Sequence, residues 1–231
     1  MTDTHPEPNL NAVHLTTGLT GLPEGTHVKS NDSARRSTDL ALVAGFAALV
    51  AACAVLPSIN LAGPVPITLQ TFGVLLCGAV LGTRRGFLAV LLYLVVGAAG
   101  LPVFAGGAAG LSVFSGPTVG YLLGFPLAAG LCGLIVERLP RRTLQTGVPA
   151  IFLAGLVSSA LCIHTLGMAG LVWRIDGMTW SGAFDIDKVF WIGDVLKNVA
   201  MALVATAVHR AFPDLLDRSA PVDTRESSLT A

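Results

Sequence analysis

Two ionisable side chains three residues apart, in the run Gly193-Asp194-Val195-Leu196-Lys197, carry the most informative chemistry in this chain of 231 residues. On a helix that spacing puts Asp194 and Lys197 on one face. Both sit at the start of an apolar block, where a charge is costly unless it is paired or used. One reading is a structural ion pair with Lys197 snorkelling outward. The other, which the placement favours, is a polar anchor for a small anionic or amide-bearing solute. An ammonium can hold a carboxylate, and a carboxylate accepts hydrogen bonds from ureido or amide donors.

Other polar residues within or beside apolar blocks are less specific. Thr68 and Gln70, in the run Pro64 to Thr71, stand where a block begins and suit helix-start capping as well as a pocket. Tyr93 and Tyr121 combine an apolar ring with a hydroxyl, which fits either a pocket wall or an interface anchor. His164 reads as a hydrogen-bonded core histidine, because no carboxylate accompanies it on its own block. Glu137, beside a basic turn, reads as a solvated helix-end charge. Ser158, Ser159 and His164 supply no oxyanion hole by themselves, which argues against an intramembrane hydrolase.

Missing motifs narrow the class further. There is no Gly-x-x-x-x-Gly-Lys-Ser/Thr phosphate loop, so the chain is not itself the ATPase of a pump. No metalloprotease helix or Gly-x-Ser-x-Gly elbow is found, and the blocks lack the paired broken helices of an inverted-repeat carrier. Cys53, Cys77, Cys132 and Cys162 have no metal-ligand spacing and read as small lipid- or core-facing residues. The expectation is a binding subunit with no catalytic, metal or cofactor site, energised by a partner.

The elements that must position these residues are membrane helices. Hydrophobic residues make up 53% and charged residues 12% of the chain, with a mean hydropathy of +0.72. That is far from an ordinary soluble domain. The predicted fold is an all-α bundle of about six spans, at 39–56, 67–82, 86–100, 117–137, 148–171 and 189–209. Pro57, Pro64 and Pro66 end the first span, and Gly82-Thr83-Arg84-Arg85 makes a charged turn. Six glycines between Gly97 and Gly116 suit a loop folded back on the protein rather than a regular span. The second and third spans reach only about 22 Å at the helical rise, short of the hydrocarbon core, so they are expected to pack among longer helices.

Orientation follows from basic residues, which are retained on the cytoplasmic side. With the N-terminus inside, the cytoplasmic segments hold 11 of the 14 basic residues, leaving Arg174, Lys188 and Lys197 for the outer half. Both termini are therefore expected in the cytoplasm. Residues 1–36 are expected to form a disordered tail, too polar for a secretory signal. Residues 37–212 form the membrane domain and 213–231 a second tail. A net charge of zero gives no hint of a nucleic-acid partner.

The run from Pro64 to Ala129 resembles the BioY family of biotin-binding S components of energy-coupling-factor transporters. Its most specific parts are Thr68-Leu-Gln-Thr71, the run Gly100 to Gly107, Gly116-Pro-Thr118 and Gly193-Asp-x-x-Lys197. The resemblance implies high-affinity capture of biotin from outside the cell. It implies partners as well: a transmembrane coupling subunit and a pair of ABC-type ATPases. Asp194 and Lys197 are then pocket residues, joined by Thr68, Gln70, Tyr93 and Tyr121, with Gly106 and Gly107 bringing backbone amides to the ligand. Ala44 and Ala48, on the small-residue face of the first span, are implied contacts for the coupling subunit. One departure concerns the family's Pro-Phe-x-Pro-Gly-Asp pattern, where this chain reads Val189-Phe-Trp-Ile-Gly-Asp194.

Overall fold

Apolar blocks in a bilayer must satisfy their backbone groups internally, and this chain does so with helices. The computed structural model describes Thr2 and residues 26–58 and 64–216. Its helices are α1 (Thr26–Val55), α2 (Gln70–Ala98), α3 (Val119–Glu137), α4 (Arg141–Thr146), α5 (Val148–Ser158), α6 (Thr165–Arg174) and α7 (Trp180–Ala211). A π-helical turn, Ser159–His164, joins α5 to α6. Two 3-10 turns, Ala105–Gly107 and Leu111–Ser115, lie between α2 and α3. Among the described residues, five helical stretches are long and apolar enough to cross a membrane: Arg35–Val55, Gln70–Ala98, Val119–Glu137, Val148–Arg174 and Trp180–Ala211.

The expected second and third spans fall within the single stretch α2, which is not straight. Gly82 interrupts it with φ +82° and ψ −174°. Gln70 and Tyr93 are hydrogen-bonded at 2.8 Å, whereas 23 residues of straight helix would separate them by about 35 Å. The helix therefore doubles back at Gly82 into two antiparallel arms. Glycine suits the left-handed turn, and a Cβ at Gly82 would run into the Glu137 carboxylate. The arms touch backbone to backbone, since a Cβ on Gly86 would lie 2.8 Å from the Gly78 Cα. Glu137 is more than a solvated helix-end charge: it accepts the Thr83 amide at 2.8 Å and the Thr83 hydroxyl at 2.7 Å, capping the second arm.

The remaining boundaries differ in instructive ways. α7 starts at Trp180, nine residues before the expected span, because Thr179 caps it by accepting the Gly182 amide at 3.1 Å. With no proline between Val189 and Gly193, nothing breaks the helix there. α1 begins at Thr26, inside the segment expected as a tail, since each residue added to a formed helix gains a hydrogen bond. The rest of both expected tails, residues 1, 3–25 and 217–231, lies outside the described residues, as do residues 59–63 after the first span. Residues 1–37 and 38–231 are separate units, and the second carries the site.

The core of that unit is aliphatic, with Leu75, Leu81, Ile151 and Met201 fully buried. Cys53, Cys77 and Cys132 are buried within it, Cys162 is half-buried, and all four are free thiols. At one end Arg85, beside the hairpin turn, pairs with Asp39 of α1 at 3.0 Å and donates to the Leu215 carbonyl at 3.1 Å. That contact ties together α1, the α2 turn and the segment after α7. The polar side chains singled out in the sequence gather toward the other end of α2.

Candidate functional site

Where α2 starts and finishes and α3 starts, a cavity of about 190 Å³ opens between α2, α3, the α5–α6 stretch and α7. Most of its wall is apolar, including Phe104, Val113, Leu122, Phe125, Ile163 and Phe190. Its polar groups are Thr68, Gln70, Thr71, Thr118, Tyr121, His164, Asp194 and Lys197. An apolar chamber with a few convergent polar groups is the usual form of a small-molecule site.

Asp194 and Lys197 meet as the spacing predicts. Lys197 Nζ lies 2.8 Å from Asp194 Oδ1. Thr71 at the start of α2 closes a triangle, its hydroxyl donating to Asp194 Oδ1 at 3.0 Å and accepting from Lys197 Nζ at 3.2 Å. One turn on, Asn198 donates to the Asp194 carbonyl at 2.9 Å. The pair is thus a structural ion pair and a cavity wall at once, so the two sequence readings are not exclusive.

Thr68 lines the cavity and also makes local hydrogen bonds at the helix start. Its hydroxyl accepts the Gln70 amide at 3.2 Å, a turn at the helix start, and donates to Gln70 Oε1 at 2.8 Å. Gln70 Nε2 in turn donates to Tyr93, which is buried behind Gln70 rather than on the cavity wall. Tyr93 packs edge-on against Phe104, their rings 5.5 Å apart, and Phe104 meets Phe114 edge-on at 5.8 Å. Gly106 and Gly107 are exposed and do not line the cavity; the neighbouring Ala105 and Ala108 do. The two glycines instead provide positive φ, +66° and +77°, in a tight loop where Phe104 exchanges backbone hydrogen bonds with Gly107 and Ala108. That loop turns Phe104 into the cavity.

Tyr121 lines the cavity and donates to Asp187 Oδ1 at 2.9 Å. Asp187 is fully buried. It also accepts Trp191 Nε1 at 2.9 Å and faces His164 Nδ1 at 2.9 Å. The second ring nitrogen of His164 lies 3.2 Å from Asp194 Oδ2, and the imidazole stacks at a tilt on Trp191 with centroids 5.2 Å apart. His164 is hydrogen-bonded, as expected, but its carboxylate partners come from α7 and its ring forms part of the cavity wall. Sequence reasoning misses Asp187 because hydropathy starts the last span after it. The available signal is the stripe Asp187, Trp191, Asp194, Asn198 at helical spacing, preceded by a capping Thr179.

Ala44 and Ala48 are on α1, both exposed and away from the cavity lining.

Comparison with known proteins accords with this geometry. The model of the BioY family matches residues 26–214. A biotin transporter BioY of Rhizobium etli is 40% identical over 185 residues, covering 78% of this chain and 98% of the relative. One from Rhodobacter capsulatus is 41% identical over 191 residues, covering 77% and 96%. Among solved structures, the S-component for biotin from an ECF-type ABC transporter superposes with a TM-score of 0.71 at 24% identity, over 76% of this chain and 93% of that one, which establishes the fold. The matched region takes in every wall of the cavity and the connections between them, and on these grounds the chain belongs to the BioY family.

Proposed function

We propose that the chain binds biotin with high affinity and brings it across the cytoplasmic membrane as the substrate-specific subunit of an energy-coupling-factor ABC transporter. The observation that carries this reading is a polar cluster around Asp194 and Lys197 in the wall of an otherwise apolar cavity, in a chain related along most of its length to proteins named biotin transporters. Biotin's fused rings are apolar on their flanks and carry ureido donors and an acceptor, with a carboxylate at the end of the tail. Asp194 can accept from the ureido N–H groups, and Lys197 can donate to a carbonyl or carboxylate. Thr68, Gln70 and Tyr121 offer further hydrogen bonds, with Tyr93 holding Gln70 from behind. The loop bearing Gly106 and Gly107 acts as a lid through Phe104, Ala105 and Ala108.

The partners in this reading are a transmembrane coupling subunit and an ABC ATPase pair, with exposed Ala44 and Ala48 of α1 facing the coupling subunit. The two α2 arms count as separate crossings, giving six in all, with both termini and Arg84-Arg85 in the cytoplasm and the cavity toward the outside. The test is calorimetric titration of the purified protein with biotin, thiamine and riboflavin. Tight, stoichiometric heat with biotin alone is expected; binding of another vitamin in preference to biotin overturns the assignment.

A further inference from the structure

Asp187 has no place on the cavity wall, yet it is fully buried and takes three donors from three sources: Tyr121 on α3, Trp191 on α7 and His164 at the end of the π turn. A carboxylate in such a place is costly unless its environment is built for it. His164 stands between this carboxylate and Asp194, one ring nitrogen to each, at 2.9 Å and 3.2 Å. A neutral imidazole carries a single N–H, so donating to both carboxylates at once takes the doubly protonated ring. Asp194 then receives His164 on Oδ2 while Thr71 and Lys197 hold Oδ1. Two cations and two carboxylates make this assembly neutral as a whole.

We propose that Asp187 is a positioning residue for ligand capture: it holds His164 as a two-sided donor, and through His164 it orients the Asp194 carboxylate that meets the ligand. The charged and titratable groups around the ring are Asp187, Asp194 and Lys197 from α7 and Tyr121 from α3, with the Trp191 ring stacked on its face. Of these, only Asp187 reaches the Nδ1 edge with a negative charge. The consequence is that Asp187 acts on binding through His164 and not independently.

This inference rests on biotin being the ligand, and its test separates the two. Biotin affinity is measured for wild type, Asp187→Asn, His164→Gln and the double variant, alongside ¹⁵N spectra of the histidine rings with His164 assigned by its loss in His164→Gln. Each single variant is expected to weaken binding roughly ten-fold or more, the scale of one charged hydrogen bond. The double variant is expected to match His164→Gln alone. Wild-type His164 is expected to show both ring nitrogens protonated, and Asp187→Asn to shift it to a neutral form. Effects that add in the double variant, an unchanged affinity in Asp187→Asn, or a neutral ring in the wild type would overturn the proposal. Should Asp187→Asn not fold, His164→Gln is compared with His164→Phe. Glutamine keeps a donor toward Asp194 and phenylalanine only the stacking, so equal affinities count against the proposal. A wild type that binds no biotin ends the functional reading, while the ring spectra still report on the Asp187 to His164 contact.

Discussion

Asp194 is approached from three sides, by Thr71 and Lys197 at one oxygen and by His164 at the other. Removing Lys197 leaves a buried carboxylate with one cation fewer, and removing Asp194 leaves that cation without its partner. Asp194→Ala and Lys197→Ala are each expected to lower biotin affinity by about 2 kcal/mol or more, read by calorimetry on the purified variants. Thr71→Val removes only a hydroxyl that bridges the pair, so its cost is expected to be about 1 kcal/mol in the same measurement. The pair itself was legible because residues three apart on a helix must share a face. His164 and Asp187 were not legible as partners, because they are 23 residues apart on different helices and only packing brings them together. Phe104 was hidden for another reason: its loop is glycine-rich, and periodicity says nothing about which side chain such a loop turns inward.

Among the elements, α2 depends most on a single residue. Gly82 carries the left-handed turn, and any side chain there meets Glu137. Gly82→Ala is expected to destabilise the protein by about 1–3 kcal/mol, seen as a lower unfolding temperature in detergent. Glu137→Ala, which removes the cap on the Thr83 amide and hydroxyl, is expected to cost about 1 kcal/mol by the same measurement. The existence of two short apolar segments separated by a charged turn could be read from the sequence, since Gly82-Thr83-Arg84-Arg85 breaks the apolar pattern. That Gln70 and Tyr93 close the resulting hairpin could not, because hydropathy carries no information about register. The start of α7 was obscured for a related reason. Asp185, Asp187 and Lys188 lower the local hydropathy, and only the capping Thr179 marks the helix origin.

At the scale of the molecule, the Arg85 end and the cavity end do different work. Arg85 gathers α1, the α2 turn and Leu215, while the cavity draws on α2, α3, the α5–α6 stretch and α7. Because Ala44 and Ala48 lie outside the cavity lining, Ala44→Leu together with Ala48→Leu is expected to leave biotin binding by the purified subunit unchanged. The same variant is expected to reduce ATP-driven uptake in vesicles that contain the coupling subunit and ATPases to the level seen without them, because small residues permit close helix approach. The composition and apolar blocks were enough to read a helical membrane protein. The division of labour between its ends needed the three-dimensional arrangement.

The π turn at Ser159–His164 gives the site a dependence on length as well as on residue type. Such a turn holds one residue more than an α-helical path requires, and that surplus sets the angle at which His164 arrives. Deleting Ala160 would remove that surplus and let the turn close as ordinary α-helix, with α5 and α6 kept in phase and only the residues of the turn redirected. His164, the last residue of the turn, would then approach Asp187 and Asp194 at a changed angle with all three side chains still present. A relative one residue shorter in this turn would therefore keep the flanking helices in place while presenting its histidine differently.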